Sequence, residues 1–343
     1  MDTKIRVGFD ISQIAHKGGV ATYTKNLADC LLKLSGLEMV YFYSSLRKTY
    51  KGKLKNVKSY RLPPTLFEML FNRWRNVGIE KFIGPLDIFH SSDWTQPKSK
   101  AKKVTTYHDV VPFKYPQWSY PKIVAVHKRR LKLVEKEIDA VIVVSESTKK
   151  DLLEVSRIPE NKITVIYEGP SFTLQGDALE PDKIKKFKEK YNLPDKFILA
   201  IGGIGERRNL ERAKEATRGL NLVIAGVTLP WLSMEELGLL YHSARVLLYP
   251  SLYEGFGIPI LDAFSTGTPV ITSNVSSMPE VGGNAAIYVN PQSVEDIKEK
   301  LNTVLSDEKL RQDLIKKGFE RVKGFSWEKA AKETAAVYRR LLE

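Results

Sequence analysis

The chain holds a single cysteine, Cys30, among 343 residues. That excludes an internal disulfide and a cysteine-rich metal site; Cys30 reads instead as a small buried residue on the first helix. No run approaches the roughly eighteen uninterrupted apolar residues of a membrane span. The opening Met1-Asp2-Thr3-Lys4 leads into a strand and not into a signal peptide, so the expected location is the cytosol. There is also no Asp-x-Asp pair and no His/Cys cluster at ligand spacing, which argues against a metal-dependent site; no cofactor is expected.

What the chain has in excess is positive charge, +14 in all, and it is unevenly placed. Residues 1–170 hold 30 Lys and Arg against 17 Asp and Glu, whereas residues 171–343 hold 24 against 23. A basic first half suits an anionic partner, such as the surface of an anionic membrane, or is simply a lysine-rich solvated face. The basic residues are scattered and no nucleic-acid motif accompanies them, so nucleic acid is not expected as a partner.

With 43% hydrophobic residues, the chain is long enough for two domains with separate cores. Apolar runs at residues 5–9, 39–43, 87–90, 104–107, 140–144 and 163–166 read as strands, with helical patterns such as 21–34 and 123–138 between them. The alternation pauses over 171–195, a polar stretch with Gly176, Pro181 and a lysine-rich helix. Strands resume at 197–201, 222–225, 246–249, 270–272 and 286–289, and a helical stretch closes the chain at 327–342. This predicts an α/β fold of two Rossmann-like, doubly wound parallel-sheet domains, 1–170 and 171–326, hinged near residue 170.

Open parallel sheets bind ligands beyond the carboxyl ends of their strands. Gly18-Gly19, His108, Arg207-Arg208 and Glu254 all follow predicted strands, and two facing sheets would gather them around one cleft. The richest segment is Tyr249-Pro250-Ser251-Leu252-Tyr253-Glu254-Gly255-Phe256-Gly257-Ile258-Pro259-Ile260-Leu261-Asp262. A strand runs into a glycine-bearing loop with one exposed carboxylate, and Pro259 stands where a helix favours its first residue. The N–H groups of Gly255, Phe256, Gly257 and Ile258, with the helix dipole, suit an anion; Glu254 beside them suits hydroxyls. Gly257 permits the close backbone approach that a side chain would block. Together they suggest a sugar nucleotide.

Charge that grows on a departing diphosphate must be met, without a metal, by cations and N–H groups. Arg207 and Arg208 are the candidate clamp, because guanidinium donors match phosphate oxygens in pairs; a solvated basic turn is the alternative. Gly202-Gly203-Ile204-Gly205 is no dinucleotide fingerprint, since Arg208 occupies the position of the third glycine. His90 reads as structural and His16 as an acceptor-side residue. Residues 66–83, with Phe67, Leu70, Phe71 and Trp74 beside Arg73 and Arg75, form either a core-facing helix or one that lies on a membrane surface.

Residues 249–272 closely resemble the signature of family 4 glycosyltransferases, retaining enzymes of GT-B architecture with two acidic residues eight positions apart. Glu254 matches the first and Asp262 the second, where the family usually has Glu. The resemblance extends in order to Gly18-Gly19-Val20-Ala21-Thr22-Tyr23, His108-Asp109, Gly202-Gly203-Ile204-Gly205-Glu206-Arg207-Arg208-Asn209 and Phe325-Ser326-Trp327-Glu328. It implies transfer of a hexose from a nucleoside diphosphate sugar to a glycan or lipid-linked acceptor, at the inner face of the membrane if the protein is peripheral there.

By the same resemblance Glu254 and His108 stand at the donor sugar, Asp262 at the ribose hydroxyls, and Gly18-Gly19 near the donor phosphates and the acceptor. His16, Tyr23 and Asp109 are assigned to the acceptor side. The closing helix, 327–343, is implied to pack back on the first domain. Between Gly226 and Met234 the family usually has a further helix and strand; here only Val227-Thr228-Leu229-Pro230-Trp231-Leu232-Ser233 intervenes, so a smaller second sheet and altered base contacts are expected. The whole pattern is most similar to mannosyltransferases of surface polysaccharide synthesis, which favours GDP-mannose over UDP-sugars. The alternatives are a sugar-nucleotide epimerase of GT-B fold and a non-catalytic two-lobed sugar-binding protein.

Overall fold

The computed structural model describes residues 4–172, 180–203 and 205–343. Met1-Asp2-Thr3, Gly176 of the polar stretch and Ile204 of the glycine segment lie outside the described residues.

Seven strands form the first sheet: β1 (Ile5–Asp10), β2 (Leu37–Ser44), β3 (Val57–Tyr60), β4 (Ile88–Ser91), β5 (Lys102–Tyr107), β6 (Ala140–Val143) and β7 (Ile163–Val165). They pair in parallel in the order β3-β2-β1-β4-β5-β6-β7. Helices cover both faces of such a sheet, so its inner strands are continuous apolar runs and not alternating ones; β6 and β4 are buried along their whole length. The edge strand β3 escaped the sequence reading because Lys58 and Ser59 are exposed there, a charged edge with no apolar run.

Residues 66–83 are not one helix. The segment comprises Pro64–Glu68, a π-helical turn Met69–Trp74 and Glu80–Ile83, and it breaks at Arg75, whose backbone is left-handed (φ 53°). Arg75 is held there by Glu137, with oxygens at 2.7 and 2.8 Å, and by the carbonyl of Gln96 at 2.9 Å. Phe67, Phe71, Ile79 and Ile83 pack on Val40, Phe42 and Phe89, which selects the core-facing alternative; of the segment's large apolar residues, Trp74 alone is well exposed.

Helix Gly19–Leu31 packs against helix Trp327–Arg340. A buried polar chain lies beneath them: the Tyr23 hydroxyl is 2.9 Å from Thr106 Oγ1, which is 2.9 Å from His90 Nε2, while His90 Nδ1 is 2.6 Å from the Tyr338 hydroxyl. Burial, reinforced by the charges of His108 and Arg130, pushes His90 down to about 3, so its ring is neutral. The first unit thus runs to Glu168 and includes Trp327–Glu343.

The second unit, Gly169–Ser326, has five parallel strands: β8 (Ile198–Ile201), β9 (Leu222–Ala225), β10 (Val246–Tyr249), β11 (Val270–Ser273) and β12 (Ala286–Val289), in the order β12-β11-β10-β8-β9. Ile198, Val246, Leu248 and Ile271 pack on Ala213, Ile297, Leu301 and Leu314 from its helices. After β9 the chain turns at Gly226 (φ 79°) and enters helix Met234–Ser243, started by a capping box of Ser233 and Glu236, with no strand between. Both units are parallel-sheet α/β layers. The strand order reverses between β1 and β4 in the first and between β8 and β10 in the second, and those are the crevices where such sheets take ligands.

Candidate active site

In the second unit the two loops at the reversal point are stitched together by one amide. Beyond β8, the chain passes Gly205 (φ 103°) and the turn Glu206–Arg208 to Asn209, which is left-handed (φ 56°) at the start of helix Leu210–Ala216. Asparagine tolerates that backbone better than most residues. Its buried Nδ2 donates to the carbonyls of Pro250 (2.9 Å) and Pro291 (2.6 Å), and Leu252 N–H donates to the Arg207 carbonyl at 2.7 Å.

The stitching brings Arg208 Nη1 to 2.8 Å from Glu254 Oε1. That nitrogen also donates to the Tyr249 hydroxyl, and the guanidinium lies over the Tyr249 ring, 5.3 Å from its centre. The contact with Glu254 is therefore ionic, with the aligned hydrogen bond going to Tyr249. Burial works against the Arg208 charge, but Glu254 and Tyr249 outweigh it and raise its pKa. Arg207, on the same turn, is half-buried.

Glu254 corrects one expectation: its carboxylate is not exposed but 6% accessible. The loop folds inward because serine hydroxyls hold its carbonyls: Ser276 donates to the Glu254 carbonyl, and the one hydroxyl hydrogen of Ser277 is shared between the carbonyls of Phe256 at 2.6 Å and Glu254 at 2.9 Å. Phe256 is buried against Phe325, centroids 6.0 Å apart, so its side chain anchors the loop. Gly255 is buried beside it. Gly257 needs to be glycine for its φ of 115°. The helix starts at Ile258, making Pro259 its second residue and not its first; the missing N–H still falls in the turn where it costs no hydrogen bond.

Asp262 is neither on the surface nor open to solvent. It is buried, and its two oxygens accept from Ser171 N–H (2.6 Å) and Ser171 Oγ (2.9 Å). Burial pushes its carboxyl up to about 7, against the lowering effect of those hydrogen bonds.

In the first unit, β1 and β4 end in Asp10 and Ser91, and Gln13 Nε2 donates to Asp93 Oδ1 at 2.6 Å across the reversal point. A small cavity there is lined by Asp10, Gln13, Tyr23, Asp93, Thr106 and His108. His108 Nδ1 lies 3.4 Å from Glu168 Oε1, and the Tyr23 ring meets the imidazole edge-on, centroids 4.5 Å apart. Burial alone would lower the pKa of His108; Glu168, with Asp93 and Asp109 behind it, outweighs that and raises it. Burial in turn raises Glu168.

The remaining predicted residues divide. Gly18 (φ 106°) starts helix Gly19–Leu31, with nothing within 4 Å of where a Cβ would stand, so backbone conformation alone demands glycine. His16 is exposed on the turn before it. Tyr23 is buried with its hydroxyl committed to Thr106, so it forms the wall behind His108. Asp109 Oδ1 accepts from Val111 N–H at 3.0 Å and starts a short helix, Val111–Lys114. Asp10, Asp93 and Glu168 were missed; each stands just past a predicted strand, and the strand-end rule that found His108 would have found them too.

Among the described residues, no group of three or more His, Cys, Asp and Glu side chains is arranged to hold a metal ion, and no helix is long and apolar enough to cross a membrane.

In sequence the chain is 28% identical over 294 residues to the O-antigen chain mannosyltransferase B of Escherichia coli, covering 74% of each protein. In structure it is similar to sucrose-phosphate synthase (tll1590) from Thermosynechococcus elongatus, with a TM-score of 0.78 and 20% identity over 99% of each chain. It is also similar to Anabaena Alr3699/HepE, solved in complex with UDP and glucose, with a TM-score of 0.68 and 12% identity over 98% of this chain and 100% of that one. The two likenesses show the GT-B fold. Residues 17–170 match the description of Glycosyltransferase Family 4. Residues 148–321, half of the chain, match that of Glycosyl transferases group 1, and the protein is a glycosyltransferase belonging to that family.

Proposed function

We propose that the protein transfers a hexose from a nucleoside diphosphate sugar to a hydroxyl of a glycan or lipid-linked acceptor, with retention of configuration and without a metal or cofactor. The observation that carries this reading is the Arg208–Glu254 contact of 2.8 Å between the loops that follow β8 and β10. It sets a guanidinium fit for a phosphate beside a carboxylate fit for sugar hydroxyls, in the crevice where a parallel sheet takes its ligand.

In this reading Arg207, Arg208 and the N–H groups of Gly255, Phe256, Gly257 and Ile258 meet the diphosphate, and the glycosidic bond breaks through an oxocarbenium-like state on the face of the leaving phosphate. Glu254 positions the sugar and stabilises developing charge without forming a covalent intermediate. His108 orients the sugar, Asp262 takes the ribose hydroxyls once Ser171 releases it, and Gly18 and Gly19 leave room for donor and acceptor. His16 and Asp109 border the acceptor, and Tyr23 acts through the wall it builds for His108.

The mannosyl function of the Escherichia coli relative favours mannose, with GDP-mannose the first donor to test; the UDP bound to HepE makes UDP-sugars the competing class. The basic first half favours a cytosolic enzyme peripheral to an anionic membrane. Calorimetry with GDP and UDP tests the reading: one of them binds, and Glu254→Gln keeps that binding while turnover collapses. A wild-type chain that binds neither nucleotide, or that yields free nucleotide and an altered sugar in acceptor-free buffer, sinks it.

A further inference from the structure

We propose that Glu168 is a positioning residue that keeps a proton on His108 Nδ1 and so dedicates Nε2 to the donor; this rests on the reading that His108 meets the transferred sugar.

The geometry carries the argument. Glu168 is 4% accessible, and its side-chain partner is His108 Nδ1 at 3.4 Å. A carboxylate taken out of water needs a donor or a positive charge beside it, and the imidazole provides both. At 3.4 Å the pair is a charge contact more than a tight hydrogen bond.

The two nitrogens of an imidazole are linked, because the partner of one sets the state of the other. With a carboxylate at Nδ1, that nitrogen carries hydrogen whether the ring is neutral or cationic. Only Nε2 changes, from acceptor to donor, as the ring gains its proton. The Tyr23 ring, edge-on at 4.5 Å and fixed through its hydroxyl to Thr106, opposes a flip that would exchange the nitrogens.

The groups that face His108 are Glu168 from the end of the first unit, Asp93 beyond β4, Asp109 next in the chain, Tyr23 from the helix and the neutral His90 on β4. Three are acids. The surroundings favour the cationic ring, the form in which Nε2–H donates to a sugar or phosphate oxygen.

The test uses the full chain with nitrogen-labelled histidine. Ring signals of the wild type, Glu168→Gln and Glu168→Asp are titrated by NMR, with His108→Gln supplying the assignment. In Glu168→Gln the His108 midpoint falls by about one unit or more. The alkaline limb of the kcat/KM profile moves down with it, giving a loss of roughly tenfold near pH 8, and Glu168→Asp restores part of both. A His108 midpoint that does not move in Glu168→Gln overturns the proposal, as does a moved midpoint with an unchanged rate profile. Failure of the wild type to bind any nucleoside diphosphate would overturn the donor assignment and leave the titration to judge the pair alone.

Discussion

Arg208 and Glu254 lie 2.8 Å apart although they belong to loops that follow different strands, because the Asn209 amide holds the carbonyls of Pro250 and Pro291. The ion pair is therefore a product of the loop stitching as much as of its own charges.

Replacing Arg208 by alanine strands a buried carboxylate and, under the proposed function, also removes a phosphate donor. We expect a loss of about 3 kcal/mol of transition-state stabilisation, near a hundredfold in kcat/KM, with a lower melting temperature because a buried charge has lost its partner. Arg208→Lys keeps the charge without the two-pronged geometry and falls between. Steady-state kinetics and thermal melts on the same samples decide it; an alanine variant with wild-type rates removes Arg208 from the site.

Asp262 makes stability depend on pH. The folded carboxyl holds its proton up to about pH 7, whereas in the unfolded chain it ionises at the usual aspartate value. Across that window the folded state binds more protons, so stability falls as pH rises through it, by an amount on the order of 4 kcal/mol. Asp262→Asn abolishes this contribution, and its melting temperature relative to wild type should be higher at pH 8 than at pH 5. Parallel melting curves for the two proteins across that range would contradict the burial of the acid.

The pair Tyr338 and His90 gives a prediction of the opposite kind. Tyr338→Phe leaves His90 Nδ1 buried without its partner, at a cost of about 1 to 3 kcal/mol in urea unfolding. Since His90 does not titrate above about 3, that cost should be the same at pH 5.5 and pH 8. A cost that grows towards low pH would mean that the ring takes up a proton.

Much of this was legible in the sequence. Parallel strands buried on both faces announce themselves as apolar runs, which is why, among the described residues, eleven of the twelve strands were found and the charged edge β3 was not. The strand-end rule singled out Arg208 and Glu254 as candidates for the same reason, and the fold brings the two together. Burial of polar groups was not legible: that Ser171 reaches Asp262, or that serine hydroxyls draw Glu254 inward, depends on hydrogen bonds between distant segments that leave no periodic trace.

Lys128, Lys132 and Lys136 recur at helical spacing and are all exposed on helix Pro121–Glu137. If the first unit meets anionic lipid, this stripe is its point of contact. Co-sedimentation with vesicles rich in phosphatidylglycerol should decrease steeply between low and physiological salt and drop further when the three lysines are replaced by glutamate. Equal binding to neutral phosphatidylcholine vesicles would dismiss the electrostatic account.

The polar chain from Tyr23 through Thr106 and His90 to Tyr338 makes the last helix part of the first sheet's own interior. Severing the polypeptide at Glu168 would thus leave the amino-terminal fragment with an uncovered histidine and the carboxyl-terminal one with an amphipathic segment seeking a host. The smallest piece able to retain that interior is a rearranged one, in which residues 327–343 are rejoined directly to the amino-terminal fragment through a short linker.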